Sequence, residues 1–328
     1  MRVVDGKLVA VVIPCYRVIS HVLDVIDRIG REVNVIYVVD DCCPDGSGEF
    51  VERTCTDPRV RVVRHAENQG VGGAVLTGYE CAVRDGADVI VKIDGDGQMD
   101  PKLLPRFVDP ILRGEADYTK GNRFFNLDDV RAMPKVRLVG NAGLSFMAKI
   151  STGYWNLFDP TNGYTAIHAR VAAAIPREKL AKRYFFETDL LFRLNTLQAV
   201  VIDIPMKAVY ADEKSNLSVS KVLPEFFVRH LGNFAKRIFY GYFLRDFSLA
   251  SIELLASILL LGFGIGFGYH HWALAIESGV STPVGTVMLA ALTTLLGVQF
   301  GLGFLAFDMR SRAERPVHRD LPRYEESE

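Results

Sequence analysis

Net charge is almost absent from this 328-residue chain: 38 Lys and Arg stand against 39 Asp and Glu, leaving a formal charge of −1. No basic excess exists to neutralise a phosphate backbone, which excludes nucleic acid as a bulk partner. Cysteine is scarce and poorly placed for cross-linking. Cys15, Cys42, Cys43, Cys55 and Cys81 all fall in the first quarter, are odd in number, and have no histidines at zinc-site spacing. That argues against a disulfide framework and suits a reducing compartment. Internal repeats and low-complexity stretches are missing. So is a secretory leader: the opening MRVVDGKLVAVVIP carries a short apolar run that stops at a proline and reads as a first strand.

What the chain does have is apolar residues, 49% of the total, with a slightly positive mean hydropathy. That is high for a soluble protein and points to a membrane segment. The first third alternates apolar, β-branched runs with helical spacing. Strands are predicted at Leu8–Ile13, Val33–Val39, Val60–Val63 and Asp88–Ile93, and helices at Ser20–Ile29 and Gly73–Ala82. Continuous apolar strands separated by helices predict a parallel sheet covered on both faces, with ligands at the carboxyl ends of the strands. Those ends carry Pro14-Cys15-Tyr16, Asp40-Asp41 and Asp94-Gly95-Asp96. The middle reads as a helix at Lys102–Leu112, a polar strand at Tyr118–Arg123, a small-residue helix at Lys135–Ile150, the segments Phe158–Tyr164 and Tyr184–Leu197, and a strand at Ala199–Ile204.

Beyond Lys221 the character changes. Phe226, Phe227, Phe234, Phe239, Tyr240 and Tyr242 alternate with Arg229, Lys236, Arg237 and Arg245, as in a helix lying at a lipid surface. Two long apolar runs follow, Leu249–Tyr269 with one charge (Glu253) and Val284–Phe307 with none. Each exceeds the roughly 20 residues that cross a hydrocarbon core of about 30 Å. The connection His270–Pro283 lacks Lys and Arg, whereas Arg245 precedes the pair and Arg310, Arg312, Arg315, Arg319 and Arg323 follow it. The positive-inside rule then predicts a cytoplasmic large domain and cytoplasmic termini at a plasma or inner membrane. Small residues, Gly262 to Gly268 and Gly297 to Gly303, would let the spans pack on each other or on a second copy as a homo-oligomer. The domains are expected at 1–215 (catalytic), 216–247 (amphipathic), 248–308 (spans) and 309–328 (tail).

The strongest chemical signal is Lys92-Ile93-Asp94-Gly95-Asp96-Gly97-Gln98. Two carboxylates one residue apart in a glycine-rich turn can hold one divalent cation together, with Gln98 as a neutral oxygen ligand and diphosphate oxygens completing the shell. Hard oxygen ligands favour Mg2+ or Mn2+ over zinc. The stretches VVIPCY, VVDDCCPDGSG, NQGVGGAVLTGY and KIDGDGQMDP, in this order, resemble the successive signature blocks of family 2 glycosyltransferases with the GT-A fold. The closest likeness is to polyprenyl-phosphate sugar synthases, the dolichol-phosphate-mannose-synthase and GtrB-like group, over roughly Leu8–Tyr210.

The resemblance implies an α/β Rossmann-like, mostly parallel catalytic domain, an amphipathic region and two transmembrane helices. It implies metal-dependent, inverting transfer of a hexose from a nucleotide-sugar donor, UDP-linked rather than GDP-linked, to a polyprenyl phosphate acceptor at a lipid bilayer. Pro14, Tyr16 and Asp41 would hold base and ribose; Asn68, Gly70, Gly72 and Gly73 would shape the following helix start; Asp94, Asp96 and Gln98 would ligate the metal. Arg123 and Arg137 would grip the lipid phosphate, helped by Asn141, since arginine supplies a planar fork for phosphate. Asp189 in YFFETDL would act at the acceptor side, as a base or by orienting a group, and Asp159 in FDPTNGY would touch the sugar. Lys214 lies where similar enzymes place a diphosphate-binding arginine. A processive polysaccharide synthase would need a Q-x-x-R-W motif and more spans. Two alternatives remain at this stage: transfer to another lipid or lipid-linked glycan with Asp189 as general base, and an inactive scaffold on the same fold.

Overall fold

The computed structural model describes residues 6–125, 135–207 and 219–322, without the side chains of residues 135–139, 141 and 219–223. They form two compact units, one comprising Met1–Phe234 with Ala313–Glu328 and the other Ala235–Arg312.

The first unit is built on seven strands: β1 (Val9–Cys15), β2 (Val35–Asp40), β3 (Val60–Arg64), β4 (Val89–Lys92), β5 (Tyr118–Asn122), β6 (Thr165–His168) and β7 (Val201–Pro205). Their order across the sheet is β3-β2-β1-β4-β6-β5-β7. Neighbours are parallel except that β6 is antiparallel to both β4 and β5. Six carboxyl ends therefore share one edge with the start of β6. Helices α1 (Val22–Asp27), α2 (Ser47–Thr54), α3 (Val71–Arg84), α4 (Leu104–Leu112), α5 (Lys135–Thr152), α6 (Ala169–Ala174) and α7 (Phe186–Thr196) connect the strands. The period-2 alternation of a strand decides which face each residue serves. Ala10, Val12, Tyr37 and Val39 pack under α3, α6 and α7, while Val9, Val11, Ile13, Ile36 and Val38 pack under α1, α2 and α4.

The mostly parallel α/β architecture agrees with the sequence reading. Three short elements had no sequence signal: β6 is a four-residue TAIH with no β-branched run, and α2 and α6 have only eight and six residues. The expected helix from Lys102 starts as a 3-10 turn at Pro101–Leu103, because Asp100 caps it by accepting from the Lys102 N–H at 3.2 Å.

Helix α8 (Val219–Phe239) turns His230 and Asn233 inward and leaves Phe227, Val228 and Leu231 exposed. His230 bonds Ser151 of α5 at 2.7 Å, and Asn233 donates to Asp189 of α7 at 3.1 Å. This half of the amphipathic segment packs within the first unit, which extends to Phe234. The tail also returns to this unit. Val317 and His318 donate their backbone N–H groups to the fully buried Asp117, each at 2.9 Å, and the His318 ring stacks on His168 at 4.1 Å.

The second unit is a helical hairpin of α9 (Leu249–Ser278) and α10 (Val284–Arg310). Ser248 and Ser251 form a capping box at the start of α9, and Gly279 (φ 66°) ends it in the left-handed conformation that glycine tolerates. Gly297 lies against Leu261, and its carbonyl accepts from Ser257 at 2.8 Å; Gly264 lies against Thr293 and Thr294. Gly262 and Gly266 have open space beside them. Arg237 meets Asp308 through both guanidinium nitrogens, at 2.5 and 3.0 Å, and Tyr242 donates to the same carboxylate at 2.7 Å. In the most apolar windows of α9 and α10 only 22% and 11% of residues are buried. These are not core helices of a soluble fold; their length and exposed apolar surface suit membrane anchoring.

Candidate active site

At the carboxyl edge of β1 and β2 the structure gathers Pro14, Tyr16, Asp40 and Asp41. Tyr16 is exposed, with the Arg17 guanidinium 5.5 Å from its ring centre. Asp40 accepts from the backbone N–H of Cys43 at 2.7 Å and of Gly48 at 2.8 Å. Asp41 accepts from Gln69 N–H at 2.8 Å and Gly70 N–H at 2.7 Å, and its Oδ1 also meets His65 Nδ1 at 2.8 Å. Both carboxylates are anchors for neighbouring loops, which holds this edge of the sheet in one shape. Gly70 and Gly72 have a related task. A Cβ at either would come within 2.8 Å of the Lys182 or Ala181 carbonyl, and the Gly72 N–H donates to the Lys182 carbonyl at 2.9 Å. The start of α3 is therefore closed by the loop before α7.

The Asp94–Gln98 turn follows β4 and lies on the β1–α1 loop, with Gly95 against Ile13 and Val18, and Gly97 (φ 77°) against His21. Asp96 Oδ1 accepts from the Gln98 N–H at 3.0 Å, and the Asp94 N–H points at the Met99 sulfur at 3.4 Å. The Oδ1 of Asp94 is buried and ion-paired with the Lys92 ammonium at 2.9 Å, and the same ammonium lies 3.2 Å from Glu187 Oε1. Lys92 is 2% exposed. Burial alone would lower its pKa, but Asp94 and Glu187 outweigh it and hold the ammonium above the ordinary lysine value. Two carboxylates one residue apart, Asp94 with its Oδ2 beside the bare Gly163 and Asp96, are a hard-oxygen donor set that fits a divalent cation. Among the described residues no three His, Cys, Asp or Glu side chains converge to enclose an ion. Further ligands would have to come from Gln98, water and substrate, as is usual for Mg2+ at phosphate sites.

On the other side of β4, Lys92, Thr165 and Lys120 stand in register across β4, β6 and β5, and Asp203 of β7 continues the row. Lys120 is fully buried, donates to the Asn162 carbonyl, and burial pushes its pKa down to about 8 against the pull of Glu187 and Asp159. Asp203 is pushed up to about 6, also by burial. Arg123 sits just past β5. Its guanidinium grips Asp159 through Nε at 2.7 Å and Nη2 at 3.0 Å, and its backbone N–H bonds the same carboxylate at 3.3 Å. Asp159, 1% exposed, thus orients Arg123 and is not open to a sugar.

Asp189 is buried as well. It accepts from the Ala181 N–H at 2.9 Å and from Asn233, so it docks α8. The acid of YFFETDL that meets the metal motif is Glu187. Arg137 and Asn141 lie in α5, but their side chains are outside the described residues, as is Lys214 altogether. Sequence reasoning did not single out Lys92, Lys120 or Glu187. A lysine inside each of two strands, VIVK and YTKGN, was the available signal, since a buried lysine needs a carboxylate partner.

Residues 10–175 match the profile of "Glycosyl transferase family 2". The chain is 27% identical to a UDP-N-acetylglucosamine–dolichyl-phosphate N-acetylglucosaminyltransferase of Methanococcus voltae, over 63% of this chain and 87% of that one. It is 31% identical to an undecaprenyl-phosphate mannosyltransferase of Micrococcus luteus, over 61% and 83%. Glucosyl-3-phosphoglycerate synthase from Mycobacterium tuberculosis, solved with Mn2+, UDP and glucosyl-3-phosphoglycerate, has a similar fold, with a TM-score of 0.53 and 19% identity over 70% of this chain and 81% of that one. With half of its length matching the family profile, an intact Asp94-Gly-Asp96 turn and this fold, the chain belongs to glycosyl transferase family 2 and is a glycosyltransferase related to the polyprenyl-phosphate sugar transferases.

Proposed function

We propose that the protein transfers a sugar from a nucleotide donor, UDP-linked, to a polyprenyl phosphate at the membrane surface. The observation that carries this reading is the Asp94–Gln98 turn at the end of β4, with two carboxylates one residue apart, in a chain whose relatives bear the names of polyprenyl-phosphate sugar transferases. Asp94, Asp96 and Gln98 would hold Mg2+ or Mn2+, which supplies positive charge to the departing diphosphate when bound. Pro14, Tyr16 and the loops anchored by Asp40 and Asp41 receive the nucleotide, and Lys214, outside the described residues, is assigned to its diphosphate from its place in the sequence alone. Arg123, pre-oriented by Asp159, binds the acceptor phosphate, and Arg137 and Asn141 of α5 are assigned to the same phosphate from the sequence motif. That phosphate is already anionic and attacks the anomeric carbon directly with inversion, so no general base is required. Asp189 acts by docking α8. The exposed apolar side of α8 meets the lipid, α9 and α10 span it, and the arginines flanking the hairpin keep the catalytic domain and both ends in the cytoplasm.

The test is lipid extraction after incubating the full-length protein in detergent with undecaprenyl phosphate, Mn2+ and radiolabelled UDP- and GDP-sugars. One donor should give a labelled, mild-acid-labile lipid that Asp96→Ala abolishes. Absence of labelled lipid with every donor, alongside intact metal-dependent nucleotide binding, would replace polyprenyl phosphate with another acceptor.

A further inference from the structure

We propose that Lys92 and Glu187 are a positioning pair that sets the charge, and hence the cation affinity, of the Asp94–Asp96 turn. The inference rests on the reading that this turn holds a divalent cation. Three side chains meet around the buried Lys92 ammonium. Lys92 ends β4, two residues before Asp94; Glu187 lies in the first turn of α7; the ammonium stands 2.9 Å from Asp94 and 3.2 Å from Glu187. A third element approaches them and is bare. A Cβ at Gly163 would lie 2.6 Å from Asp94 Oδ2 and 2.6 Å from Lys92 Nζ.

Charge explains why one carboxylate would not be enough. A buried ammonium facing Asp94 alone would cancel its charge and compete with an arriving cation. With Glu187 as second partner the three groups together keep one net negative charge, and the attraction on Lys92 is shared. Lys92 holds Oδ1 of Asp94 in place, and the missing side chain at Gly163 leaves room at Oδ2. Lys120 stands in the same row two strands away, about 10 Å by strand spacing, and keeps the Asn162 carbonyl as its own partner. Neither Lys92 nor Glu187 needs to touch substrate, so their effect is on the cation and not on the sugar.

The arrangement predicts that cation affinity follows the sum of these charges. The measurement is Mn2+ binding to the full-length protein in detergent with UDP present, read as loss of the free-Mn2+ electron paramagnetic resonance signal. Glu187→Gln, which removes one negative charge and keeps the shape, should weaken Mn2+ binding about tenfold and leave metal-free UDP binding unchanged. Adding Lys92→Met restores the net charge and should bring the affinity back to within about threefold of the original. A merely structural pair would lower the melting temperature in both variants without this reversal. Should the double variant not fold, Gly163→Ala decides, since its methyl group intrudes on Asp94 and must weaken Mn2+ binding too. Unchanged Mn2+ affinity in a folded Glu187→Gln protein overturns the pair alone. Absence of Mn2+ binding by the original protein overturns the cation reading and the pair with it.

Discussion

At the carboxyl edge the two halves of the sheet use their carboxylates differently. In the β1–β3 half, Asp40 and Asp41 accept from the backbone N–H groups of Cys43, Gly48, Gln69 and Gly70. In the β4–β7 half, Asp94, Glu187 and Asp159 face the charged side chains Lys92 and Arg123. A carboxylate bonded to backbone fixes the course of a loop and cannot change partner without unfolding it. A carboxylate facing an ammonium or guanidinium can share that partner with an incoming phosphate or cation, because the low dielectric keeps charge pairs strong and mobile side chains can shift. The rigid half suits a nucleotide, whose shape does not change in the reaction. The exchangeable half suits the groups whose charge does.

Substitutions should divide the same way. The largest effect is expected at Asp159, where alanine would remove the carboxylate that orients Arg123 and bonds the Asn162 amide. Because Arg123 is 33% exposed, losing this partner costs about 1–3 kcal/mol, and a misplaced Arg123 should lower turnover about 100-fold. Thermal unfolding and steady-state kinetics on Asp159→Ala check both, and a variant as active as the original would remove Arg123 from the acceptor site. Asp40→Asn should be milder. Its amide would present N–H to one of two N–H donors, costing about 2 kcal/mol. Because Asp40 shapes only the donor rim, KM for the nucleotide-sugar should rise while kcat holds. A fall in kcat instead would erase the distinction between the halves.

How much of this was legible follows from where each signal is local. Strands β1, β2 and β4 were readable because each is nearly a continuous apolar run, and the Asp94–Gln98 turn because its carboxylates stand one residue apart in sequence. β6 was not, since four residues between a glycine-bearing loop and α6 carry too short a pattern, yet its antiparallel insertion is what aligns Lys92 with Lys120. Asp159 and Asp189 were noticed as acids near the site, but their partners, Arg123 and Asn233, lie 36 and 44 residues away. Sequence spacing cannot reveal that such a partner already occupies a carboxylate. Glu187 was passed over for Asp189 because both stand in one helical turn. Which of them faces β4 depends on how α7 is rotated on the sheet, a matter of packing by Phe186, Leu190, Leu191 and Leu194.

The effect expected to be smallest near neutral pH concerns a histidine in each half. His65 lies between the Asp41 carboxylate and the Thr77 hydroxyl, both at 2.8 Å. His230 of α8 meets only a hydroxyl, Ser151, with the Phe185 ring edge-on at 5.1 Å. Burial lowers the His230 pKa to about 4. The unfolded chain takes up a proton near pH 6.5, well before the folded protein does. Stability from a neutral His230 is therefore complete above about pH 6.5 and is lost as the pH falls toward about 4, by up to about 3 kcal/mol. His168, also lowered to about 4 by burial and by the nearby His318 and Arg170, acts in the same direction under the tail. Unfolding temperatures of the full-length protein between about pH 7.5 and 4.5 should thus decline on acidification, and His230→Gln, which cannot charge, should decline about half as steeply. Parallel curves for the two proteins would mean that His230 accepts its proton without leaving Ser151. The contact of α8 with α5 would then belong with the exchangeable pairs and not with the fixed frame.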